Sequence, residues 1–158
     1  MYLAAFATAT ADGIRPGASI AFFGIHFIDT STEGALNGVR ADEQSRIAML
    51  DAYVVEEFTK RGFTLLDVAP VAADANRVAN VADCNFCDVI MARKLNADYS
   101  MVGEVQKVSN LILSMNLVLR DAEEGQHARG MSVDIRGNND KSWLRGMRYI
   151  LRNNIFKK

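Results

Sequence analysis

Residues 19–29 form an almost unbroken apolar run, Ser19-Ile20-Ala21-Phe22-Phe23-Gly24-Ile25-His26-Phe27-Ile28-Asp29, rich in aromatic residues and Ile. Such a run predicts a central strand covered on both faces. The polar, glycine-bearing stretch 30–40 reads as a loop. Over residues 42–61, Ile47, Leu50, Val54 and Phe58 recur at helical spacing, Glu56, Glu57, Lys60 and Arg61 fall elsewhere, and Gly62 stands where a C-terminal cap belongs, which predicts an amphipathic helix. Residues 63–68 then read as a second strand, parallel to the first through a right-handed crossover. A short stretch at 71–81 leads to a helix over 88–95, for which Asp83 is the expected N-cap.

Beyond Asn96 the period changes from helical to alternating. Residues 99–108 read as a strand. In the next segment Leu111, Leu113, Met115, Leu117 and Leu119 alternate with Ile112, Ser114, Asn116, Val118 and Arg120, the pattern of a half-buried strand with one apolar face. Residues 121–125 turn the chain, and Met131, Val133 and Ile135 alternate with Ser132, Asp134 and Arg136, so this strand pairs antiparallel with the previous one. Asn139 or Asp140 caps a last helix that buries Trp143, Met147, Ile150 and Leu151 and exposes Arg145, Arg148 and Arg152. The order β-α-β-α-β-β-β-α implies an α/β (α+β) fold: a mixed β-sheet with a parallel βαβ half and an antiparallel meander, with helices packed on the sheet.

Length adds that this is one domain, since 158 residues bury a single core. Charge alters the picture more. The chain carries 18 basic and 19 acidic residues, a net of −1, which excludes a generic polyanion or nucleic-acid trap. The near-neutrality is a cancellation. From Arg129 to the end there are eight basic residues (Arg129, Arg136, Lys141, Arg145, Arg148, Arg152, Lys157, Lys158) and two acids (Asp134, Asp140), a net of +6 that leaves −7 for the rest. The bland account of such a cluster is a solvated helix face; the sharper one is a surface for an acidic protein or anionic headgroups.

The apolar run 3–11 closes on Ala9-Thr10-Ala11, the small-x-small pattern of a signal-peptidase site, although only Met1 and Tyr2 precede it. Residues 1–11 are expected to be the remnant of an export signal, residues 12–158 the single globular αβ domain, and the location periplasmic or secreted, with no transmembrane segment. In that compartment Cys84 and Cys87 suit a short-loop structural disulfide. A redox-active pair is the alternative if both sulfurs sit in a first helical turn, but both prolines, Pro16 and Pro70, lie upstream of the pair. A structural zinc site needs four ligands, and His26 and His127 stand at no useful spacing.

Catalytic signals are missing as well. Neither histidine is placed to serve as a general base, no G-x-S-x-G elbow occurs, and Gly34-Ala35-Leu36-Asn37-Gly38 lacks the pattern of a phosphate loop. No catalytic residue, metal or cofactor is therefore assigned. Two surfaces remain as candidates. Arg136, Lys141, Arg145, Arg148 and Arg152 are read as partner-binding; Glu104, Gln106, Ser114, Asn116 and Asp134 form the polar sheet face, a wet surface or the floor of a small-ligand site.

Phe63-Thr64-Leu65-Leu66-Asp67, the segment from Ala97-Asp98-Tyr99 to Glu104, and Asp121-Ala122-Glu123-Glu124-Gly125 together resemble the TolB amino-terminal-domain-like group of envelope proteins. Cys84-x-x-Cys87, the segment from Gly103 to Leu113 and the segment from Arg136 to Trp143 are similar to a family of bacterial predicted secreted proteins of unknown function. The resemblance runs from about Ser19 to Asn154. It implies a non-enzymatic interaction or accessory module of the cell envelope, linked to periplasmic alcohol oxidation, with an envelope or periplasmic protein of acidic surface, or a second copy, as partner. A thiol-disulfide oxidoreductase and a small-ligand-binding domain are the alternatives.

Overall fold

The computed structural model describes residues 13–158; the expected signal remnant at 1–11 lies outside them. Five strands form one mixed sheet in the order β2-β1-β3-β4-β5. Strand β1 (Ser19–Asp29) is parallel to β2 (Thr64–Leu65) and to β3 (Tyr99–Lys107), while β4 (Leu113–Asp121) and β5 (His127–Ile135) follow antiparallel. The expected mixed sheet, parallel half and antiparallel meander are all present.

Helix α2 (Ala41–Lys60) buries Leu50, Val54 and Phe58 on one side of the sheet. Beside it α5 (Asp140–Ile150) buries Trp143, Met147 and Ile150, and a π-helical turn (Leu151–Ile155) adds Leu151 and Ile155. Asn139 caps α5, its side chain accepting from Ser142 N–H at 3.0 Å. These residues meet Ile20, Tyr99, Met101, Val105, Leu113, Met115, Leu117, Leu119 and Ile135 from alternate strand positions, as period-2 sidedness requires. Gly146 lets α5 approach β5, for a Cβ there would lie 2.7 Å from Ile135 Cγ2.

The opposite face is covered over only part of its length, by α4 (Cys87–Lys94) and the segment with α3 (Ala72–Ala75), which place Val71, Val81 and Met91 on Val102 and Ala92 near Ala21. Strand β1 is therefore central in order but not sealed on both faces. Nor is it flanked along its whole length, because β2 pairs only with Ser19 and Ile20. Farther along, a bulge between Phe22 and Ile25 turns the Ile25 N–H to a carboxylate oxygen of Asp51 at 2.9 Å. Burial pushes the Asp51 carboxyl up from its ordinary pKa against that bond. Among the described residues no helix is long and apolar enough to cross a membrane.

Three local expectations need correction. The 30–40 loop contains α1 (Thr32–Asn37), because Ser31 caps it by accepting from Gly34 N–H at 3.0 Å and glycine at 34 leaves room for the Asp29 carboxyl that a Cβ would overlap. The second strand shrinks from residues 63–68 to Thr64–Leu65, as the Asp67 side chain accepts from Ala69 N–H at 2.9 Å and starts a turn with Pro70. Asp83 does not cap the cysteine helix. It ends a 3-10 turn (Val81–Asp83) capped by Asn80, and Asn85 and Phe86, with φ of 53° and 70°, separate that turn from α4.

Candidate functional site

The register assembles the expected polar face. Glu104 lies opposite Asn116, and Gln106 opposite Ser114, which in turn lies opposite Asp134. On β1 the neighbours are His26 beside Glu104 and Ile28 beside Gln106. Glu104 is tied to the facing loop, accepting from Asn80 Nδ2 at 2.8 Å. Next to this face a groove of about 560 Å³ runs between β1 and residues 68–81, lined by Phe22, Phe23, His26, Val71, Ala75 and Val81.

The basic residues are gathered at the other edge. Arg136 follows β5, and Lys141, Arg145, Arg148 and Arg152 project from α5 and the π turn; all five are exposed. Their pairing sets them apart. Nine of the chain's cations, Arg15, Arg40, Arg46, Lys60, Arg61, Arg77, Lys94, Lys107 and Arg120, have a carboxylate within 4.0 Å. Arg93 and Arg129 donate to backbone carbonyls. The remaining seven, the five expected residues with Lys157 and Lys158, have no acidic partner among the described residues. Arg136 and Arg145 also line a groove of about 340 Å³ between β5 and α5, together with Val133, Asp134 and Ile135 from β5 and Gly146 and Tyr149 from α5.

Pattern reading did not find a third cluster. The Lys107 side chain is 1% exposed and its ammonium lies 2.6 Å from Glu43, 3.2 Å from Glu33 and 3.4 Å from Asp29. Glu43 also accepts from Asn138 Nδ2 at 2.8 Å and from Arg40 N–H at 3.1 Å, and Asn138 accepts from Arg46 at 3.1 Å. This network joins α1, α2, the end of β3 and the β5–α5 loop, so it fixes the loop that leads into the basic helix. The available signal was a lysine at a core-facing position, two residues after Val105 in the alternation.

Cys84 and Cys87 stand at disulfide-bonding distance, with Cα atoms 5.5 Å apart. Only Cys87 belongs to α4; Cys84 precedes the left-handed Asn85-Phe86 pair, so the two sulfurs do not share a first helical turn. Asp88, beside Cys87, is buried and accepts from Arg120 at 2.9 Å and Ser100 Oγ at 2.7 Å. The bridge closes a short loop, for which the chain-entropy relation gives about 2 kcal/mol. The double variant Cys84→Ser/Cys87→Ser is expected to lose about that much in urea unfolding, and dithiothreitol to reproduce the loss. An unchanged midpoint would mean that the pair contributes no stability.

A mixed five-stranded sheet with helices on one face, a half-open second face and a cationic edge defines a small αβ module. Residues 18–155 match the model of the DUF3280 family, described as a protein of unknown function (DUF2380), and the chain belongs to that family. No curated protein matches it. Among solved structures it is similar to the lipoprotein GNA1162 of Neisseria meningitidis (20% identity, TM-score 0.54, covering 83% of this chain and 90% of that one). It is similar also to the LpoB C-terminal domain of Salmonella enterica (13%, TM-score 0.53, 79% and 87%) and to a PelC dodecamer of Paraburkholderia phytofirmans (11%, TM-score 0.50, 88% and 89%). At these identities the likeness is one of fold.

Proposed function

We propose that this protein is a non-catalytic accessory module of the bacterial cell envelope, located in the periplasm or secreted, which binds an acidic protein surface through Arg136, Lys141, Arg145, Arg148 and Arg152. One observation carries the reading: the C-terminal cations have no acidic partner among the described residues, while nine cations elsewhere are ion-paired. Unpaired exposed cations concentrated on one edge provide complementarity and steering for an acidic partner at little cost to folding. The fold shared with the lipoprotein GNA1162 supports an envelope setting and an accessory role; a link to periplasmic alcohol oxidation is part of the proposal only.

The test is capture of partners from periplasmic extract at low salt by the wild-type protein and by the triple variant Arg145→Glu/Arg148→Glu/Arg152→Glu. Wild type is expected to retain an acidic protein that elutes as salt rises, and the triple variant to retain at least about tenfold less. Because all three side chains are exposed, the variant should keep its melting temperature. Equal retention by both proteins would overturn the reading.

A further inference from the structure

Strand β5 has a partner on one side only, β4. In an antiparallel pair every second residue of such an edge strand directs its N–H and C=O outward. Among the described residues no hydrogen bond from a loop, cap or side chain reaches the β5 backbone between Ala128 and Ile135. The C-terminal end lies over the start of this edge, where Arg129 donates to Lys157 O at 3.3 Å. Farther along, residues 133–136 line the 340 Å³ groove between β5 and α5.

The groove is lined by apolar residues and by two arginines against one acid, Asp134, with Ser142 beside them. Val133 and Ile135 face the α5 side, together with Gly146 and Tyr149, and Tyr149 is 48% exposed. Arg136 and Arg145 stand along it, and Lys141, Arg148 and Arg152 continue the positive charge along α5. A chain laid beside β5 would point alternate side chains under α5 and the others away from it. Apolar residues at the first set would meet Val133, Ile135 and Tyr149, and acidic residues nearby would meet unpaired guanidinium groups.

We propose that β5 accepts an extended acidic segment of the partner protein as a sixth strand of the sheet, with its apolar side chains in the groove between β5 and α5. The inference rests on the proposed function and specifies how that surface is used. Charge complementarity selects the occupant: a second copy pairing β5 on β5 would bring two cationic edges together. Main-chain bonds supply affinity, and the groove with its arginines supplies selectivity for alternating apolar and acidic residues.

The experiment uses a fluorescein-labelled synthetic peptide alternating Glu with Val, the same peptide N-methylated at every second residue, and a third peptide of the same composition with its Glu residues blocked together. Anisotropy should show binding of the first, with about tenfold or greater weakening on N-methylation, which removes backbone donors and leaves charge intact. Wild-type amides within residues 131–135 should gain hydrogen-exchange protection, and Arg136→Glu/Arg145→Glu should weaken binding about tenfold. Equal affinity for the parent and N-methylated peptides, with loss only on charge reversal, would overturn strand addition while leaving the basic surface as the docking site. Binding to phosphatidylglycerol vesicles with none to the peptides would overturn a protein as occupant. Self-association of the wild type in sedimentation, abolished by Val133→Lys, would overturn it in favour of a second copy.

Discussion

Replacing Lys107 with Met is expected to lower the free energy of unfolding by about 3–5 kcal/mol, the usual cost of leaving a buried charge without its counter-charge. Lys107 faces Glu43, 0% exposed, and Asp29, 5% exposed, so its removal abandons two carboxylates inside the molecule. Lys107→Met/Glu43→Gln should recover part of the loss, because the nearest orphaned carboxylate is then gone. Burial raises the Asp29 pKa, but bonds from Ser31 and Lys107 outweigh it and hold the carboxyl below its ordinary value. Burial likewise lowers Lys107, and its bonds to Glu43 and Glu33 outweigh that and raise it. A lowered carboxyl contributes stability that is present above its unfolded pKa and is lost as pH falls through the folded value. A raised ammonium contributes stability that is present below its unfolded pKa and is lost as pH rises through the folded value. The gap between wild type and Lys107→Met should therefore be widest near neutrality and narrow toward both acid and strongly alkaline pH, as read by urea denaturation across pH. A loss under about 1 kcal/mol, or one independent of pH, would show that these charges are compensated from elsewhere.

Trp143→Ala is expected to cost a similar 3–5 kcal/mol, as large cavities from buried aromatic residues do. Trp143 is 0% exposed and connects three elements: its ring lies 5.8 Å from Phe27 of β1 and 5.9 Å below the guanidinium of Arg46 on α2, while the residue itself belongs to α5. Its indole nitrogen is buried without a hydrogen-bond partner among the described residues. Trp143→Phe removes that unsatisfied donor along with part of the ring and should cost far less, about 1–2 kcal/mol. Thermal unfolding of the two variants separates the contributions. Equal losses would mean that the polar end of the indole, rather than its bulk, holds the helix.

The meander and the last helix were legible because their side chains obey a period: Leu113, Met115, Leu117 and Leu119 announce a face, and Trp143, Met147 and Ile150 a stripe. The polar sheet face followed from the same alternation once register set Glu104 opposite Asn116. Where side chains compete for backbone groups, period carries no information. Asp67 ended β2 early by bonding Ala69 N–H, and Ser31 started a helix inside an apparent loop. Asp83 does not cap α4 because Asn85 and Phe86 take left-handed backbone between them, which favours glycine and asparagine and which Phe86 does not signal. The Lys107 network was hidden for another reason: its directly bonded members are separated by up to 95 positions, as between Glu43 and Asn138, and no local window contains them. Composition located the basic residues, but only the ion-pair pattern distinguishes them from the cations that fold the chain.

Asp51, bound to Ile25 N–H on the exposed length of β1, has a consequence for assembly. A sheet with two open edges is bifunctional, in the sense a polymer chemist would use: each added copy leaves a new reactive end, and growth proceeds to a fibre. Here the edge strand β2 is two residues long and a carboxylate holds the bulged part of β1 beyond it, whereas β5 offers nine residues along its outer side. With a single long open edge, strand pairing between molecules is expected to stop after one step rather than grow into a fibre.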